Sequence, residues 1–157
     1  MKSKIEIKTQ AQAISEMRDA LIEFEQTGEI NDTMKSSVTN SLRDIQVRDF
    51  ALGLTFENNS TELILSFLDY LLLSAKEIET VAINAIRASY LYRLGDTTKA
   101  FEALDSASKV NPAYSLTMLL RRVMGSGWPA GAFESMTHEL HPKVVAGIEG
   151  GSDLEIE

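Results

Sequence analysis

Residues 78–112 read IETVAINAIRASYLYRLGDTTKAFEALDSASKVNP, and this stretch decides the fold. Its first part, about 78 to 94, sets small side chains at Ala82, Ala85, Ala88 and Ser89. Small side chains let a neighbouring helix approach closely. Gly95 then stops the helix and Asp96 caps the next one. That second helix, about 97 to 109, carries Ala100, Ala103, Leu104 and Ala107 at the i, i+3, i+4, i+7 spacing of a buried stripe. Asn111-Pro112 ends it, so the stretch is a helical hairpin.

The same periodicity extends outward in both directions. Ile14, Met17, Leu21 and Phe24 recur at three and four residues over about Thr9 to Thr27, with Gly28 in the position of a C-terminal cap. Asn31 or Asp32 caps a second helix with Met34, Val38 and Leu42 inside. A phase shift near Asp44 to Gln46 starts a third helix carrying Phe50, Leu54 and Phe56. Asn58 to Thr61 is a turn in which Asn59 is the expected cap. Residues 60 to 75 are apolar on most sides, from Leu63 to Leu73, which predicts the central helix of the fold. Past the hairpin, Pro112 is expected to open a helix with Leu116, Leu119, Leu120, Val123 and Met124 on one face. Gly125-Ser126-Gly127 ends that helix. Pro129 opens a last helix of about 130 to 140, which Pro142 closes. Residues 1 to 8 read as a frayed leader, although Ile5 and Ile7 alternate with charged neighbours as a short extended arm would.

The fold class is therefore all-α, a bundle of about seven to eight helices containing one hairpin of the kind just quoted. One helical domain is expected over 1–146, followed by a disordered, acidic, glycine-rich tail over 147–157.

Two resemblances follow from these residues. Tyr92-Arg93-Leu94-Gly95-Asp96, Ala100, Ala107 and Pro112 resemble a single tetratricopeptide repeat, with Asn84 where that motif carries an aromatic residue. A solenoid needs about three such units, so the hairpin is expected inside a larger bundle. Wider is the resemblance of Gln46-Val47-Arg48-Asp49-Phe50-Ala51-Leu52, Leu91-Tyr92-Arg93-Leu94-Gly95-Asp96 and Asn111-Pro112-Ala113-Tyr114-Ser115-Leu116 with Leu119-Leu120. Together they are similar to the C-terminal half of an actinobacterial family, domain of unknown function 4192, over about residues 30 to 131. The Val-Arg-Asp and Pro-x-Tyr-Ser-Leu pieces are its most specific parts. A larger region usually precedes this half in the family, and the resemblance implies no activity.

Composition narrows the function. Among 157 residues, 23 are Asp or Glu and 15 are Lys or Arg, a formal charge of -8. That sign repels nucleic-acid backbones and anionic membranes. There is no cysteine, which removes disulfides, thiolate metal sites and a cysteine nucleophile. No apolar region follows Met1-Lys2-Ser3-Lys4, so no signal peptide is read and a cytoplasmic location is expected. No nucleophile elbow or Ser-x-x-Lys is present.

Four groups of residues bear on chemistry. Glu134, His138 and His141 are the only start of a metal site, and they would make the chain a metal-dependent hydrolase or enzyme fragment. The plainer reading is two histidines near a helix end. Gly125-Ser126-Gly127-Trp128-Pro129 reads as a helix stop and restart, because it follows a helix and not a strand. Arg48-Asp49 reads as a helix-start ion pair or cap that fixes the angle between two helices. Tyr90, Arg93, Tyr114, Arg121 and Arg122 are the expected lining of a groove for a peptide or partner protein. The leading expectation is thus a helical protein-interaction module with no cofactor, no nucleic-acid or membrane partner, and an apolar central helix that admits a homo-oligomer.

Overall fold

The computed structural model describes residues 8–156; the leader expected over 1 to 8 lies outside these, Lys8 excepted. Among the described residues there are eight α-helices and no strand. They are α1 Gln10–Thr27, α2 Asp32–Ser41, α3 Ile45–Ala51, α4 Thr61–Leu72, α5 Glu77–Arg93, α6 Thr97–Val110, α7 Ser115–Gly125 and α8 Ala130–Glu149, with a 3₁₀ turn Leu54–Glu57 between α3 and α4. The all-α bundle read from the periodicity is the fold.

Local chemistry sets most helix ends. Thr9 accepts from the Gln12 N–H while Gln12 reaches back to the Thr9 N–H, a complete capping box for α1. Asn31 caps α2 and Asp44 caps α3. Ser60, not Asn59, caps α4, and the Asn59 amide instead donates to the Leu54 carbonyl. At the hairpin turn Gly95 takes φ +84°, and the Asp96 and Gly95 N–H groups bond the Leu91 and Tyr92 carbonyls. These paired bonds form a Schellman motif, which needs the left-handed residue that glycine supplies.

The centre of the bundle is α5 and not the greasier α4. Helix α5 touches α2, α3, α4, α6, α7 and α8. Its buried Ala82, Ala85, Ala88 and Ser89 let neighbouring helices approach closely. Ala82, Ile83, Ile86 and Tyr90 enter a core shared with α1 to α4, while Ala85, Ala88, Leu91 and Tyr92 enter a second core shared with α6, α7 and the start of α8. Helix α4 buries only the stripe Ile64, Phe67, Leu68 and Leu71, and Leu73 is 86% exposed.

Two further expectations are corrected in the last third of the chain. Pro112 does not start α7; it lies in the turn from Asn111 to Tyr114, and α7 begins at Ser115. Pro142 does not end α8, which runs on to Glu149 with Pro142 on its exposed side. His141 and Ile148 are buried on either side of it, and Val144 and Val145 pack on the main core. That packing outweighs the backbone hydrogen bond that the proline removes. The tail expected to be disordered from Gly147 accordingly begins inside a helix. Beyond it the Leu154 N–H bonds the Lys8 carbonyl, and Leu154 packs on the core.

No helix among the described residues is long and apolar enough to cross a membrane.

Candidate functional site

The Val47-Arg48-Asp49 and Pro112-Ala113-Tyr114 stretches meet in space. Asp44 opens α3 and sets Arg48 on its inner side, where only 8% of the side chain is exposed. Arg48 donates to Asp49 Oδ1 at 3.0 and 2.9 Å and to the Tyr114 hydroxyl at 3.4 Å. Its guanidinium also lies over the Tyr114 ring, 5.6 Å from the centroid. Burial would lower the Arg48 pKa, but the Asp49 charge and the Tyr114 hydroxyl outweigh it and the pKa is raised. Arg48-Asp49 is therefore an ion pair, as expected, but one within α3; the contact that ties α3 to the α6–α7 turn is that of Arg48 with Tyr114.

Clefts flank this contact. The larger, about 600 Å³, lies between the start of α5 and the α6–α7 turn, with Ile78, Val81 and Val110 among its walls. Its volume suits a small molecule, yet two of its polar side chains already serve the protein. Asn111 accepts from the Ala113 N–H and Tyr114 from Arg48.

The second cleft, about 180 Å³, lies between α3, α7 and α8. One wall is Leu116, Leu119 and Leu120 of α7; the other is Phe133, Met136, Leu140 and Val144 of α8. Leu52 and Gly53 are at its base, and Arg48, Asp49, Thr137 and His141 supply the polar groups. Leu119 and Leu140 remain 49% and 46% exposed. This volume is below the range of small-molecule pockets and matches one or two aliphatic side chains.

His141 fixes the α8 wall. Its Nε2 is 2.8 Å from Glu57 Oε2, and Glu57 is also gripped by Arg18 at 2.7 and 3.0 Å. Burial would raise the Glu57 carboxyl; the Arg18 and His141 hydrogen bonds and the Arg18 charge reverse this and hold it below the ordinary value. Phe50 and Phe56 pack near the imidazole, at 5.3 and 6.1 Å between ring centres. Its Nδ1 is buried without a hydrogen-bond partner and faces Gly53.

The residues expected to hold a metal are not gathered. His138 is exposed and stacks on Phe56 at 4.6 Å. His141 is committed to Glu57, and Glu134 contributes its charge near Arg93. Among the described residues no group of three His, Cys, Asp or Glu stands at metal-binding spacing. The physical reason is that helix α8 turns His141 inward to the Glu57 carboxylate while His138 stays on the outside.

The five expected groove residues do not share one surface. Tyr90 is fully buried, accepting from the Leu54 N–H and donating to the Ala51 carbonyl. Burial pushes its hydroxyl pKa up to about 12. Arg93 is mostly enclosed: it donates to the Leu52 carbonyl and lies 4.5 Å from the centre of the Tyr90 ring. Desolvation by burial lowers its pKa. Tyr114 covers Arg48, and Arg121 pairs with Asp105 at 2.6 Å across to α6. Arg122 alone is fully on the outside. The structure thus joins Tyr90 to Arg93 and leaves Arg121 and Arg122 apart from them.

The α8 half of the cleft escaped the sequence reading. Its signal was present: Phe133, Met136, Leu140 and Val144 continue the helical period straight through Pro142. Glu57 as the partner of His141 carried no local signal, because 84 residues separate them.

A sequence model of a family described as a domain of unknown function, DUF4192, matches residues 4–130. The match begins at residue 4, not near residue 30, so it takes in α1, and it stops where α8 begins. No curated protein and no solved structure matches.

Proposed function

We propose, from the premise that the chain belongs to the DUF4192 family of unknown function, that it is a protein-interaction module whose cleft between α3, α7 and α8 holds an amphipathic helix of a partner protein. One observation carries this reading: Leu119 and Leu140 stand half-exposed on facing lips above a floor of buried aliphatic and aromatic side chains. A helix laid between two helices presents anchors at three- and four-residue spacing, and the room inside fits one or two such anchors.

The rim chooses the charge of the partner. Exposed Arg122 and Lys143 each follow an exposed leucine by one helical turn, against Glu139 beside Leu140. The partner helix therefore carries acidic residues along the edge of its apolar stripe, and like charge excludes basic helices. Of the groove residues first expected, Arg122 keeps a direct role and Tyr114 an indirect one through Arg48.

The test is capture of partners by the full chain and by two variants. Leu119→Glu with Leu140→Glu places charge on both lips, and loss of capture by tenfold or more is expected, since buried anchors dominate binding energy at roughly 2 kcal/mol or more each. Arg122→Glu with Lys143→Glu is expected to weaken capture and reduce its salt dependence. All four side chains are exposed, so the melting temperature should stay near that of the parent chain. Capture unchanged by the leucine pair would remove the reading.

A further inference from the structure

The segment after α8 returns to the body of the protein as a short strap. The Gln10 N–H bonds the Ser152 carbonyl at 2.8 Å, and the Leu154 N–H bonds the Lys8 carbonyl at 3.0 Å. These two bonds flank Thr9 and Asp153, the centre of an antiparallel bridge; a second bridge joins Asp44 to Ile156. Asp44 is 1% exposed, and its carboxylate receives the Glu155 N–H at 2.8 Å together with the Gln10 amide and the Val47 N–H.

The strap is held by backbone groups, one carboxylate and one half-buried apolar anchor, Leu154; Ile156 is 41% exposed. None of these contacts distinguishes the strap of this chain from that of another copy. The hinge is also suited to two positions. Gly150 and Gly151 follow α8 directly, and Gly151 folds the strap back with φ +90°. In an extended conformation Gly151 would direct the strap away from its own body, and glycine alone takes both conformations readily.

We propose that the strap exchanges between two copies of this chain, each body receiving residues 152–156 of the other in the seat formed by Lys8, Gln10 and Asp44. Exchange of an identical element is a low-cost route to a dimer because the contacts are conserved. Closure within one chain competes at an effective concentration on the order of millimolar, so exchange in the parent protein appears only near that concentration. The acidic strap and the charge of -8 oppose the approach of two copies, and salt favours the exchange. Gly151→Val, which excludes the left-handed hinge, should lower the required concentration about tenfold.

The chain has no native cysteine, which makes the test direct. Thr9→Cys and Asp153→Cys are made in separate full-length chains, mixed at high concentration and oxidised. The pair sits at the non-hydrogen-bonded position of an antiparallel bridge, where opposite Cα atoms approach to about 4.5 Å, within disulfide range. Exchange predicts covalent dimers linked 9 to 153, in excess over 9–9 and 153–153 links, rising about tenfold when Gly151→Val is added. Links 9 to 153 no more frequent than the like pairs, in both backgrounds, would overturn the proposal. A single chain bearing both cysteines checks the seat itself; failure to form any 9–153 disulfide, within or between chains, would overturn it as well.

Discussion

Replacing Gly53 by alanine is a sharp probe of how α8 is held. An ideal Cβ there would fall 2.1 Å from Nδ1, 2.6 Å from Cγ and 2.8 Å from Cε1 of His141. Gly53 has φ -110°, which alanine adopts without strain, so any loss comes from the contact and not from the backbone. The imidazole has little room to yield, with Phe50 and Phe56 beside it and Glu57 on its Nε2. Overpacking of this kind costs about 1–3 kcal/mol. If the ring is driven off Glu57, the lost bond to a charged group adds about 1.5–3 kcal/mol. Taking about 2.5–6 kcal/mol in all, at about 2–4 °C per kcal/mol for a domain of this size, the melting temperature should fall by about 5–24 °C. Thermal unfolding followed by circular dichroism measures it. The companion variant His141→Ala removes the obstructing ring, so adding Gly53→Ala to it should cost less than about 1 kcal/mol. A Gly53→Ala chain melting within about 2 °C of the parent, or simple additivity in the pair, would refute the close packing of α8 on the 3₁₀ turn.

Three further outcomes follow from the same contacts. Tyr90→Phe leaves the Leu54 N–H and the Ala51 carbonyl without this hydroxyl, and should destabilise by about 1–3 kcal/mol in denaturant melts. Arg48→Ala strips Asp49 and Tyr114 of a buried partner and should cost about 1.5–3 kcal/mol, since Asp49 itself keeps contact with solvent, whereas Tyr114→Phe, which keeps the ring over the guanidinium, should cost about 1 kcal/mol. The Glu57 carboxyl has its folded pKa below the ordinary 4.5, so its contribution is present above that pH and is lost as pH falls through the folded value. Glu57→Gln should therefore be less stable at neutral pH and show a shallower acid limb, measured as melting temperature against pH.

How much of this was readable in the sequence depends on how local each feature is. Caps and turns are local, and Thr9, Asn31, Asp44, Gly28 and Gly95 all stand where their side chains or positive φ require. Helix order and the hairpin follow from spacing alone. The centre of the bundle did not, because hydrophobicity marks α4 while closeness of approach, which Ala82, Ala85 and Ala88 permit, decides for α5. Pro142 misled for a related reason: a local breaker was outweighed by Val144, Val145 and Ile148 packing beyond it. The candidate cleft was half legible. Its α7 wall was a plain leucine stripe, but its α8 wall lay across the proline, and His141 was fixed by Glu57 far away in sequence.

The claim that the cleft between α3, α7 and α8 receives an acidic-edged helix is tested most directly by a photo-crosslinking amino acid at position 119, with position 94 as a control that is similarly exposed. The account predicts adducts at 119 to one partner segment with aliphatic residues at three- and four-residue spacing and Asp or Glu beside them, and none of these at 94. Adducts that are the same at both positions, or that fall on extended or basic segments, would contradict it.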